Sequence, residues 1–146
     1  MVKKVITTLS DEEIHSILDV LKLKNATTAR NQTIFMVLID TGLRIGEIIN
    51  LTIENSHLSE GFLKVLGKGN KESVVPIGSS AQKAIQRYLF RNRPNPTHQM
   101  INNVFLSIHG TPLSGNSVKL MFARLAQRSG VHRLHAHLYV YLHFLS

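Results

Sequence analysis

The chain has 146 residues, 43% of them hydrophobic, with no cysteine and no tryptophan. That length supports a domain with a real core. The absence of cysteine excludes disulfides, thiolate metal sites and a cysteine nucleophile. The formal net charge is +8, and all nine acids lie within residues 1–72, leaving residues 73–146 with Lys and Arg but no carboxylate. A half-chain without acids is unlike an ordinary solvated surface and reads as a polyanion-facing one, with nucleic acid the leading partner. There is no apolar run of membrane-spanning length and no signal peptide, so the expectation is a cytoplasmic protein.

Residues 1–9 are a short basic lead. Ser10 with Glu13 spells a capping box, and Ile14, Ile17, Leu18 and Leu21 follow at helical spacing, which predicts a helix over 11–23. A polar break at 25–28 precedes a second helix over 28–40, whose run Ile34-Phe35-Met36-Val37-Leu38-Ile39 is apolar on every side and expected to be buried. Thr41-Gly42 breaks it, and a third helix is expected over 45–52. Arg44 is thereby carried on a tight turn between two core helices. Its planar fork suits a phosphate, while Glu47 three residues on could instead pair with it as a surface brace; the residues leave both readings open.

A β region follows, with strands expected at 53–58, 62–66 and 73–76. The hairpin loop Gly67-Lys68-Gly69-Asn70-Lys71 offers Lys68 and Lys71 to a phosphate or a base edge, or merely to solvent. It is not a P-loop, because the G-x-x-x-x-G-K-[ST] pattern is absent. A fourth helix starts near Ser79, with Ala84, Ile85, Tyr88 and Leu89 inward and Lys83, Arg87 and Arg91 along another face. Pro94 and Pro96 end it. Val104-Phe105-Leu106 reads as a short buried piece. A fifth helix follows Ser114, with Val118, Met121, Phe122 and Leu125 as its core face, Lys119, Arg124 and Arg128 as its basic side, and Gly130 as its cap. The two basic faces are candidates for contact with a nucleic-acid backbone, with solvated surface as the rival. His135-Ala136-His137 hints at metal, but no cysteine or nearby carboxylate completes a ligand set, so no metal is expected.

Taken in order, Thr-Gly-Leu-Arg-Ile-Gly-Glu at 41–47, Gly-Lys-Gly-Asn-Lys-Glu at 67–72, Val-Val-Pro-Ile at 74–77, Val-Phe-Leu-Ser at 104–107, Gly130-Val131 and the histidines at 135–137 resemble the catalytic domain of the tyrosine recombinases, the phage integrase family. The resemblance spans Leu9 to His137 and implies an α+β fold, mostly helical, with a small three-stranded antiparallel sheet. It implies DNA integration and recombination of the mobile-element kind: a tyrosine attacks a DNA phosphodiester and the strands exchange and rejoin, with double-stranded DNA as partner, further recombinase protomers beside it and no cofactor. By resemblance Arg44 is the first catalytic arginine, Glu47 the acid supporting it, Lys68 the hairpin general acid and His137 the first histidine of His-x-x-Arg, with Lys68 facing the pocket of Arg44 and His137.

The pattern then breaks. Val140 stands where the second arginine belongs, and Tyr141 where a histidine usually follows it. Leu138 to Ser146 is apolar and without helical period, and neither the later Leu-Gly-His segment nor the nucleophilic tyrosine follows; Tyr139 and Tyr141 are misplaced for that role. The expectation is one incomplete catalytic domain: a lead at 1–9, a family-like part at 10–137 and an atypical tail at 138–146, the tail consistent with a shifted reading frame and the chain unable to cleave DNA alone. The alternative is a non-catalytic DNA-binding or regulatory module that docks on a full-length recombinase. An RNA-binding domain is weaker still, since no aromatic stacking platform is visible.

Overall fold

The computed structural model describes residues 9–22, 24–132 and 134, with the backbone alone for Lys68. Helix α1 spans Asp11–Val20 and opens on the expected box: the Ser10 hydroxyl accepts the Glu13 N–H and the Glu13 carboxylate accepts that of Ser10. Helix α2 spans Ala26–Thr41, two residues earlier than the spacing suggests. The polar break is itself a cap, because the Asn25 side chain takes the Thr28 N–H at 2.9 Å and the Thr28 hydroxyl takes that of Asn25 at 3.0 Å. Helix α3 is only Ile45–Ile49. Leu51 and Thr52 leave it to pair across the fold, Leu51 accepting the Val104 N–H at 2.9 Å and Thr52 bridging Asn103.

The sheet has strands β1 (Ser56–His57), β2 (Phe62–Leu66) and β3 (Glu72–Pro76), antiparallel and in that order. Ser56 pairs with Leu63, and Phe62 through Leu66 pair with Pro76 through Glu72. The strand expected over 53–58 is reduced to two residues. Residues 52–56 form a turn instead, with the Asn55 and Ser56 N–H groups donating to the carbonyls of Thr52 and Ile53.

Helix α4 spans Ser79–Arg87 and widens over Tyr88–Asn92 into a π turn, closed by the Arg93 N–H on the Tyr88 carbonyl at 2.7 Å. Helix α5, Gly115–Ser129, begins at Ser114, whose hydroxyl accepts the Ser117 N–H, and ends at left-handed Gly130, both as expected.

The elements close on one core. Helix α1 packs on α5, α2 on α4 and the π turn, and α3 touches both α5 and β2. Ile34, Phe35, Val37 and Leu38 are buried as their unbroken apolar run implies, and Phe35 meets Phe122 with ring centroids 6.5 Å apart. Val104, Phe105 and Leu106 are likewise buried, Phe105 stacking on Tyr88. Among the described residues no helix is long and apolar enough to cross a membrane.

Candidate functional site

The turn between α2 and α3 is held through three consecutive backbone N–H groups, those of Gly42, Leu43 and Arg44. Gly42 takes the left-handed conformation (φ 69°) that ends a helix without a Cβ penalty, and its N–H reaches the Leu38 carbonyl at 2.9 Å. The Leu43 N–H donates to the Thr41 hydroxyl at 3.2 Å, and the Arg44 N–H to Glu47 Oε1 at 2.9 Å. The Arg44 carbonyl accepts from Glu47 and Ile48 at 3.0 and 3.1 Å. Leu43 and Ile45 on either side are buried, while Arg44 is half-buried. Backbone and flanks are therefore fixed, and the guanidinium is the part of the turn left for a partner.

Glu47 does not form the surface pair with that guanidinium. Among the described residues the ion pairs join Lys22 to Asp19, His57 to Glu60 and Lys64 to Glu72, and none involves Arg44. One carboxylate oxygen holds the Arg44 backbone. The other faces the start of the hairpin, where a Cβ on Gly67 would stand 3.5 Å from Glu47 Oε2. Glu47 thus lies between the arginine turn and the residue preceding Lys68.

The hairpin itself turns through a short 3-10 segment at Lys68–Asn70, with Gly69 at φ 73° and Asn70 at φ 59°. The Gly67 N–H closes it on the Lys71 carbonyl at 2.8 Å. Lys71 is exposed at its end. The Lys68 side chain and all of His135, Ala136 and His137 lie outside the described residues, as does the tail at 138–146, so of the expected trio the Arg44 turn and the Lys68 backbone are described.

Of the basic faces, Lys83, Arg87 and Arg91 are exposed along α4 and the π turn, and Lys119, Arg124 and Arg128 along α5. The α5 arginines have a distinct setting. Arg124 and Arg128 border a groove of about 450 Å3 whose apolar lining includes Leu113, Leu120, Met121 and Leu125.

Sequence reasoning passed over Arg30 and Arg93. Arg30 donates to the Leu106 carbonyl at 3.2 Å and to the Asn31 side chain, and Arg93 to the Asn103 carbonyl at 2.7 Å. They hold the buried 103–106 piece, with the Tyr88 hydroxyl accepting the Leu106 N–H. Burial pushes both guanidinium pKa values down, countered by Tyr88, and pushes the Tyr88 pKa up, countered by its bond to Leu106 and by the two arginines. Thr41 and Asp40 were also missed. Asp40 accepts the Gly78 N–H at 2.8 Å and so ties the end of α2 to the start of α4. The Asp-Thr-Gly sequence at 40–42 was the available signal, a capping-type cluster just where a helix stops.

The domain is mostly helical with a three-stranded antiparallel sheet. The chain belongs to the phage integrase family, whose model matches residues 7–139. It is similar to tyrosine recombinase XerD of Halalkalibacterium halodurans, 35% identical over 130 residues that cover 88% of this chain and 44% of that protein. The chain thus spans under half the length of that relative. Two solved structures share the fold: the XerH site-specific recombinase bound to its difH substrate (TM-score 0.71, 21% identity, 89% of this chain and 40% of that one) and the Tn1549 transposon integrase in complex with circular intermediate DNA (TM-score 0.71, 19% identity, 91% and 52%).

Proposed function

We propose that this chain is the DNA-gripping part of a cytoplasmic site-specific recombinase, in which Arg44 holds a phosphate of double-stranded DNA and Lys68 and His137 complete the contact. The observation that carries this is the arginine turn: its three N–H groups at 42–44 are bonded, its neighbours are buried, and its guanidinium has no carboxylate partner among the described residues. A bidentate guanidinium on a rigid support is the arrangement that stabilises charge on a phosphoryl group. The relatives named as recombinases, and the two named as DNA-bound, support the same reading.

In the reaction this implies, Arg44 neutralises the oxygens of the scissile phosphate and Lys68 protonates the departing 5′-oxygen. Val140 in place of a second arginine removes half of that clamp, so the chain binds DNA and does not cleave it by itself. The test has two arms. Arg44→Ala lowers the slope of log K against log salt by about one, the signature of one lost phosphate contact. A phosphorothiolate suicide duplex gives no covalent adduct with the unmodified chain. An unchanged slope overturns the role of Arg44, and an adduct overturns the lack of cleavage.

A further inference from the structure

We infer that Thr41 is a positioning residue for Arg44, acting through its hydroxyl. The inference rests on the reading of Arg44 as a phosphate clamp and adds a residue to it.

Thr33 and Thr41 are the buried polar side chains of the described core, and they do different things. Thr33 lies within the run of its helix: its hydroxyl bonds back to the Ala29 carbonyl at 2.7 Å and reaches the Ala84 carbonyl of α4 at 3.5 Å, contacts that join α2 to α4. Thr41 donates to the Val37 carbonyl at 2.6 Å and also accepts the Leu43 N–H at 3.2 Å. The second bond crosses the helix end. It supplies a partner to an N–H that lies past the left-handed Gly42, in a residue only 6% exposed, where water is a poor substitute. One residue further on, Glu47 holds the Arg44 N–H. The two consecutive amides before the guanidinium are thus held by two side chains, one reaching forward from α2 and one reaching back from α3. Without the hydroxyl the Leu43 amide must move to find an acceptor, and Arg44 moves with it. A two-toothed contact with a phosphate does not survive such a shift, because both hydrogen bonds depend on one orientation of the fork.

The experiment is a fluorescence-anisotropy titration of a short fluorescein-labelled duplex over a salt series. It compares the full chain with Thr41→Val, Thr41→Ser, Arg44→Ala and the Thr41→Val/Arg44→Ala pair. Thr41→Val keeps shape and loses the hydroxyl; it weakens binding by about as much as Arg44→Ala, roughly three- to tenfold, and lowers the salt slope by about one. Thr41→Ser keeps the hydroxyl and binds like the unmodified chain. In the Arg44→Ala background Thr41→Val adds nothing, since both remove the same contact.

A Thr41→Val that keeps the full salt slope, or whose loss persists unchanged in the Arg44→Ala background, overturns the inference and leaves the clamp standing. Arg44→Ala that binds as the unmodified chain does overturns the clamp, and the inference with it. Should Thr41→Val not fold, Thr41→Ser decides: an intact slope supports the hydroxyl, and a slope matching Arg44→Ala overturns it.

Discussion

Glu47 accepts the backbone N–H of Arg44 at 2.9 Å and leaves the Arg44 guanidinium alone. A carboxylate three residues along a helix from an arginine could have neutralised it. Here it braces the chain that carries the charge, and its second oxygen sits against the first residue of the lysine hairpin. Glu47 therefore lies between the Arg44 turn and the hairpin, bonded to the first and close to the second.

This arrangement distinguishes two substitutions. Glu47→Gln keeps an oxygen acceptor for the Arg44 amide and is expected to retain most of the DNA affinity. Glu47→Ala leaves that amide without its acceptor and is expected to cost about 1–2 kcal/mol of stability, together with the Arg44-dependent part of binding. Urea denaturation and duplex titration of the two variants check this. Equal losses in both would mean that the charge of Glu47 matters, and not its bond.

Two glycines with positive φ predict opposite tolerances. A Cβ on Gly110 (φ 83°) would run into the Asn95 carbonyl oxygen, whereas one on Gly69 (φ 73°) would meet nothing within 4 Å. Gly69→Ala carries only the left-handed penalty, about 1–2 kcal/mol. Gly110→Ala adds a backbone clash and should lose more than about 2 kcal/mol beyond that, with the 95–97 and 107–112 loops forced apart. Midpoints of urea denaturation rank the two variants.

The buried Tyr88 hydroxyl predicts an alkaline limit. Burial raises its folded-state pKa above the ordinary tyrosine value near 10, so the folded chain holds the proton more tightly than the unfolded one. The associated stability is fully present below about pH 10 and is lost as pH rises from there toward the folded value. Tyr88→Phe should remove that contribution to the alkaline loss, at the cost of the acceptor for the Leu106 N–H. Thermal melts of both proteins between neutral and strongly alkaline pH test the sign.

Features that depend on a few adjacent residues were legible in the sequence: the Ser10–Glu13 box, the Ser114 and Gly130 caps, the burial of Ile34, Phe35, Val37 and Leu38 and the paired strands around the 67–71 loop. Those decided by distant partners were not. Helix α3 stops short because Leu51 and Thr52 pair with residues some fifty positions away, and the end of α4 widens because Arg93 closes back on Tyr88. At the site, Arg44 and Glu47 were visible as a pair, but which part of Arg44 the carboxylate would hold was not. Spacing brings two side chains to one face and does not say which atoms meet. Thr41 escaped notice for the same reason: its role depends on an amide beyond the helix end.

The most direct measurement is an NMR titration of the 15N-labelled chain with the phosphodiester dinucleotide dTpT, following the Arg44 Nε–Hε signal and the hairpin amides of Gly67 to Lys71. The account predicts that both move together with one saturation curve and that Arg44→Ala abolishes the response of the hairpin. Shifts confined to the exposed bases of α4 and α5, with Arg44 and the hairpin unmoved, would contradict it.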